Sequence, residues 1–150
     1  MRKTNKRQKL RFVFPAGSLQ EATIRLFSRA GYQVVVSPRS YKPSIDDPEI
    51  EGRLMRAQEV SRYVADGHFD CGITGKDWIA ENGSKVKVVC DLPYNRATSA
   101  PARWVLVVPE DSPIRSVKDL NGKRIATETV NLTRKYLQRK GVRAEVEFSW

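Results

Sequence analysis

The sequence predicts an α/β protein made of two units with a cleft between them. Three observations carry this expectation. Short β-rich apolar runs alternate with segments of helical spacing, and glycines stand where the helices should stop. The alternation also breaks once, at YNRATSAPA between Pro93 and Arg103, and then restarts. A chain of 150 residues, 40% hydrophobic and 29% charged, has room for one or two modest domains.

The first predicted strand is Leu10–Pro15 (LRFVFP), followed at once by Gly17-Ser18. Ser18 is expected to cap a helix carrying Leu19, Ala22, Ile24, Leu26, Phe27 and Ala30 near one face, with Glu21 at N3 completing a capping box. Gly31 should close it, and YQVVVS should form a second strand, so that residues 10–37 make a βαβ unit with parallel pairing. Ser37–Gly52 is polar and holds Pro38, Pro43 and Pro48, which reads as a long excursion of functional or disordered type, and Arg53–Met55 as a short edge strand. RAQEVSRYVADG follows as a helix, FDCGIT as the third strong strand, KDWIAENG as a short helix stopped by Gly83, and KVKVVCDL as another strand.

After the break, WVLVVP predicts a strand, SVKDLNG a short helical turn, KRIATE a strand, NLTRKYLQRKG a helix capped by Asn131 and ended by Gly141, and AEVEFSW a last strand. The expected organisation is thus a basic tail over 1–9, a first α/β unit over 10–93, a hinge over 94–103 and a partial second unit over 104–150. About 50 residues beyond the hinge is near the lower limit for an independent core, so a partner or further chain is expected to complete it.

Net charge is +10, and half of that excess lies in Arg2, Lys3, Lys6, Arg7 and Lys9, which no acid accompanies. Such a balance favours anionic partners. Aromatic residues are not interleaved with the cations as a single-strand platform requires, so nucleic acid is the weaker reading and phosphates or nucleotides the stronger. No apolar run reaches membrane-spanning length, and the segment after the basic start lacks a signal-peptide pattern, which places the protein in the cytoplasm. There Cys71 and Cys90 are expected to stay reduced, and the lone His68 beside them gives no metal-ligand spacing.

In a parallel sheet the ends of the first, third and fourth predicted strands lie on one edge. That brings Gly17, Ser18 and Leu19 together with Thr74, Gly75, Lys76 and Asp77, and with Asp91. The glycines read equally as turn punctuation and as places where a phosphate or ribose approaches the backbone. Arg56, a cation at a helix start, reads either as solvated or as facing an anion. Asp77 can merely offset its helix dipole, and Thr127, Thr129 and Asn131 can merely cap. Walker spacing, a nucleophile elbow and any other catalytic constellation are absent from the sequence, so chemistry here would rest on positioning and electrostatics.

Taken together, FPAGSLQEA, RSYKPSIDDPEIE, RAQEVSRYVADGHFDCGITGKDW and LNGKRIATETVNLTRKYL resemble the ATP phosphoribosyltransferase family of histidine biosynthesis, from about Leu10 to Trp150. The resemblance implies a two-lobed, periplasmic-binding-protein-like (type II) architecture with its second lobe incomplete. It also implies ATP and phosphoribosyl pyrophosphate as substrates, magnesium (Mg2+) as cofactor, and a possible homo-oligomer. By it, Gly17, Ser18, Leu19, Arg56, Thr74, Gly75, Lys76, Asp77 and Asp91 are substrate-binding positions, with a carboxylate such as Asp77 or Asp91 placed to stabilise an oxocarbenium-like ribose. Two departures stand out. Ala16 replaces a lysine usual in the family's first loop, and the family continues past Trp150 into a Thr-Gly phosphate loop, which implies a truncated, inactive or partner-dependent form. PEDSPIRSVKDLNGKRIA also resembles the second lobe of a solute-binding protein, so a cytosolic small-molecule binding module is the competing function.

Overall fold

In the computed structural model of the chain, residues 9–92 and 103–150 are described. The expected hinge therefore lies, apart from Arg103, outside the described residues, as does the basic tail apart from Lys9. Among them the elements run β1 (Leu10–Ala16), a 3-10 turn (Gly17–Leu19), α1 (Gln20–Arg29), β2 (Val34–Val35), β3 (Ser44–Ile45), β4 (Ile50–Arg56), α2 (Ala57–Ala65), β5 (Cys71–Gly72) and α3 (Lys76–Asn82). Beyond the break come a second 3-10 turn (Val117–Leu120), β6 (Arg124–Thr127), α4 (Val130–Arg139) and β7 (Glu145–Phe148).

β1 is the central strand of a parallel three-stranded sheet in the order β4-β1-β5. Its residues alternate between two covered faces, as a parallel sheet requires. On one, Phe12 and Phe14 meet Phe27 of α1 with ring centroids 5.2 and 4.8 Å apart. On the other, fully buried Val13 lies beneath Val60 of α2. Pro15 is also buried, and it stands past Val13, the last β1 residue in the β5 register, so its missing N–H interrupts no bond to that neighbour.

The pairing differs from the expected βαβ unit over 10–37. β1 pairs with β4 in a seven-residue register from Leu10↔Ile50 to Ala16↔Arg56, and with β5 on its other side. With both edges of β1 taken, Val34–Val35 pairs antiparallel with Ser44–Ile45 in a separate two-stranded ribbon. The proline-rich excursion is thus structured. Pro43 is buried, and Pro43 and Ile45 pack over Gly52, where an added Cβ would lie 2.9 Å from Pro43 Cγ. The predicted edge strand at Arg53–Met55 is real and longer, spanning Ile50–Arg56.

The second part is a βαβ unit, as predicted: β6 and β7 pair in parallel and α4 packs on them through a core of Leu120, Ile125, Leu137, Val142 and Val146. Two predicted strands do not form. Residues 85–92 and 104–109 belong to no ladder among the described residues, and Val89 is 86% and Val107 80% exposed. Apolar β-prone sequence makes a strand only where a neighbour supplies the other half of the hydrogen bonds. Two caps also differ. Ser18 lies inside the first 3-10 turn and makes no capping box, and α1 begins after Leu19. Asn131 is inside α4, whose N-cap is Thr129.

Candidate functional site

The parallel register sets the site. Ala16 faces Arg56, and Val13 faces Gly72, so the segments that follow all emerge at the carboxyl edge of one sheet. The structure thereby brings Gly17–Leu19, Arg56 and Thr74–Asp77 to the same edge. Asp91 joins them through Lys76, whose Nζ donates to Asp91 Oδ2 at 2.8 Å.

Each residue has a definite local state there. Gly17 has φ +80°, a left-handed conformation that disfavours a side chain, and open space lies around its α-carbon. Leu19 closes the turn, and its carbonyl accepts a 2.7 Å bond from the Thr23 hydroxyl. Arg56 is the N-cap of α2 in extended conformation, and its guanidinium lies over the Trp150 ring, 5.6 Å from the centroid. The Thr74 hydroxyl donates to the Ala57 carbonyl at 2.6 Å, tying the end of β5 to the start of α2.

The glycines of GITGKD have steric work inside the fold. A Cβ on Gly72 would lie 2.7 Å from Val60 Cγ1 and 2.9 Å from Val13 Cβ, so Gly72 lets α2 close onto the sheet. A Cβ on Gly75 would lie 2.0 Å from Asp77 Oδ1. The Asp77 carboxylate folds back over Gly75 because both its oxygens are held: Oδ1 accepts the Trp78 N–H at 2.9 Å and Oδ2 the Trp104 indole N–H at 3.0 Å.

Two cations, Arg56 and Lys76, and two acids, Asp77 and Asp91, stand along the edge. The Lys76–Asp91 pair is about two-thirds exposed on both sides, so it contributes at most about 1 kcal/mol. Among the described residues no group of three or more His, Cys, Asp or Glu is placed to hold a metal ion. Both cysteines are free thiols. No helix among the described residues is long and apolar enough to cross a membrane.

Sequence reasoning missed three neighbours of this edge: Trp104, Trp150 and Glu81. Trp104 meets Trp78 edge to face at 6.4 Å, and Glu81 lies one turn beyond Asp77 on α3. The i, i+4 spacing of Asp77 and Glu81 was a readable signal; their partners, 27 and 50 residues away, were not. An open cleft of about 330 Å³, lined by Arg11, Glu51, Arg53, Tyr63, His68 and Phe69 among others, lies at the opposite edge of the sheet, and none of the nine candidate residues lines it.

Parallel strands joined by helices, with glycine-bearing loops at their carboxyl edge, define an α/β protein, a class in which the carboxyl ends of the strands are the usual place for ligands. The fold matches a solved structure, the ATP phosphoribosyl transferase (HisG:HisZ) complex from Thermotoga maritima, with a TM-score of 0.68 at 23% identity, covering 93% of this chain and 63% of that one. The family described as HisG: ATP phosphoribosyltransferase matches residues 56–150. ATP phosphoribosyltransferases of Chlorobaculum parvum and Thermodesulfovibrio yellowstonii are 57% and 56% identical over 98% and 94% of this chain. The chain belongs to the ATP phosphoribosyltransferase family. It spans about half the length of the curated relatives it matches.

Proposed function

We propose that the chain provides substrate-binding machinery of an ATP phosphoribosyltransferase, the enzyme that opens histidine biosynthesis in the cytoplasm. The observation that carries this reading is the gathering of Gly17–Leu19, Arg56, Thr74–Asp77 and Asp91 at one sheet edge, in a chain more than half identical to such enzymes. In the reaction, the N1 lone pair of ATP forms a bond to the anomeric carbon of phosphoribosyl pyrophosphate. The C–O bond to pyrophosphate breaks, and its electron pair leaves with that group. Positive charge builds on the ribose and negative charge on the leaving group.

In this reading Lys76, Arg56 and the amides of the Gly17–Leu19 turn face phosphate oxygens, and Asp77 or Asp91 faces the ribose. Asp91 is the more available carboxylate, since both oxygens of Asp77 already accept hydrogen bonds while Asp91 has one oxygen on Lys76 and an exposed side chain. The donor set suits magnesium that arrives on the substrate's phosphates with one carboxylate from the protein, where it would offset pyrophosphate charge. A two-lobed, periplasmic-binding-protein-like arrangement would place the second βαβ unit across the cleft. Association with a further subunit accords with the Thermotoga maritima structure being that of a complex.

Incubation with ATP, phosphoribosyl pyrophosphate and magnesium, with the adduct followed by absorbance, tests the activity; isothermal titration with ATP tests the site. Saturable ATP binding that weakens in Lys76→Ala supports the reading whether or not turnover is seen. The absence of both binding and turnover would overturn it.

A further inference from the structure

α4 lacks a cap of its own. Thr129 at its N-cap makes no side-chain capping bond, its hydroxyl lying 3.2 Å from that of Thr127, and no acid stands in the helix's first turn. The first turn of a helix leaves amide donors without intrahelical partners, at the positive end of the dipole. Here a carboxylate from 50 residues earlier supplies them: Glu81 Oε1 accepts the Asn131 N–H at 2.9 Å and Oε2 the Leu132 N–H at 2.8 Å. The Asn131 side-chain amide returns a 3.0 Å bond to the Glu81 carbonyl.

α3, which carries Glu81, makes a second connection one turn earlier, where Asp77 accepts the Trp104 indole N–H and Trp78 meets the Trp104 ring. α3 thus presents two carboxylates, four residues apart, to chain beyond the break. One holds a side chain and the other a helix end.

We propose that Glu81 is a positioning residue that locks the second βαβ unit onto α3 by serving as the missing cap of α4. A cap supplied from the helix's own chain neighbours would stabilise α4 and constrain nothing else. A cap supplied from α3 couples two events: α4 is fully satisfied only when it is docked, and moving it away exposes two amides and a carboxylate at once. The lock bears on the candidate site because α3 begins at Lys76-Asp77, so it fixes the distance between that edge and the Glu128–Thr129 link ahead of α4.

The test uses the full chain with Cys71→Ala and Cys90→Ser, and spin labels on Ser28→Cys in α1 and Gln138→Cys in α4, both exposed positions. Electron–electron resonance gives the distance distribution, and amide hydrogen exchange is followed at Asn131 and Leu132. With Glu81 intact, one narrow distance and protected amides are expected. Glu81→Ala should broaden the distribution and speed exchange at both amides about fivefold to tenfold, the scale of a lost N-cap, with Glu81→Gln falling between. Faster exchange with an unchanged distance distribution would make Glu81 a local cap only and overturn the proposal, as would unchanged exchange. Should Glu81→Ala lose its circular dichroism, Glu81→Gln, which preserves size, decides by the same two readings.

Discussion

Gly72 and Gly75 are three residues apart, yet their substitution should act through different physics. Gly72→Ala drives a methyl group into Val60 and Val13 in the buried layer between sheet and α2, where overpacking costs about 1–3 kcal/mol. A lower urea midpoint with an unchanged slope is the expected result. Gly75→Ala instead displaces a half-exposed carboxylate from the Trp104 indole, so tryptophan emission should shift while stability changes less. A third residue answers to pH. Arg11 donates to Asp70 through its guanidinium at 2.7 Å and also through its backbone N–H at 2.7 Å, which holds the Asp70 carboxyl below the usual carboxylate range. A depressed acid stabilises the fold above the ordinary carboxylate pKa of about 4, and the contribution disappears as pH falls through the lowered value. Asp70→Asn should therefore be less stable than the unsubstituted chain at pH 7 in urea melts, with the gap closing toward pH 3.

Element by element, the helices were legible because each carries its own apolar stripe and stop signal. α2, α3 and α4 lie within a residue or two of the predicted spans, with left-handed glycines after them. Caps were less legible. Ser116 and Asp119 do form a capping box, with Asp119 Oδ2 accepting the Ser116 N–H at 2.8 Å and its hydroxyl at 3.0 Å. The Ser18 box fails because a 3-10 turn occupies Gly17–Leu19, and the Asn131 cap fails because the helix starts at Val130, which puts Asn131 inside it with its own N–H on Glu81. Backbone donors take whichever acceptor the tertiary fold delivers, and a local pattern cannot name one 50 residues distant. Ser116→Ala should accordingly weaken the turn that seats Leu120 in the second core and lower the melting temperature, whereas Ser18→Ala, with no cap to remove, should leave it nearly unchanged. Strand partners were harder still. β1 took the residues after the proline-rich excursion as its neighbour, because seven matched positions outweigh the proximity in sequence of Val34–Val35.

At the scale of the molecule, eight of the nine candidate positions fall at one edge because the strands are parallel, and that much could be read from alternating strand and helix; Asp91 reaches it through Lys76 instead. The hydrogen bonds that α3 makes beyond the break could not, since their partners lie 27 to 51 residues away. Thiol chemistry offers a simple check on the whole arrangement. Cys71 is half-buried in β5 and burial pushes its thiol pKa up, whereas Cys90 is exposed, so Cys90 should react first, severalfold faster, with a disulfide reagent at pH 8. Cys90 also reports on its surroundings. It belongs to the bare run KVKVVCDL, and Trp104, Val105 and Val107 of the other bare run are each more than half exposed. Uncovered β-prone sequence of this kind invites pairing with any extended peptide, including another molecule of the same chain. Concentrated solutions should scatter light and bind amyloid dyes, and Val89→Lys with Val107→Lys should keep them clear without disturbing either sheet.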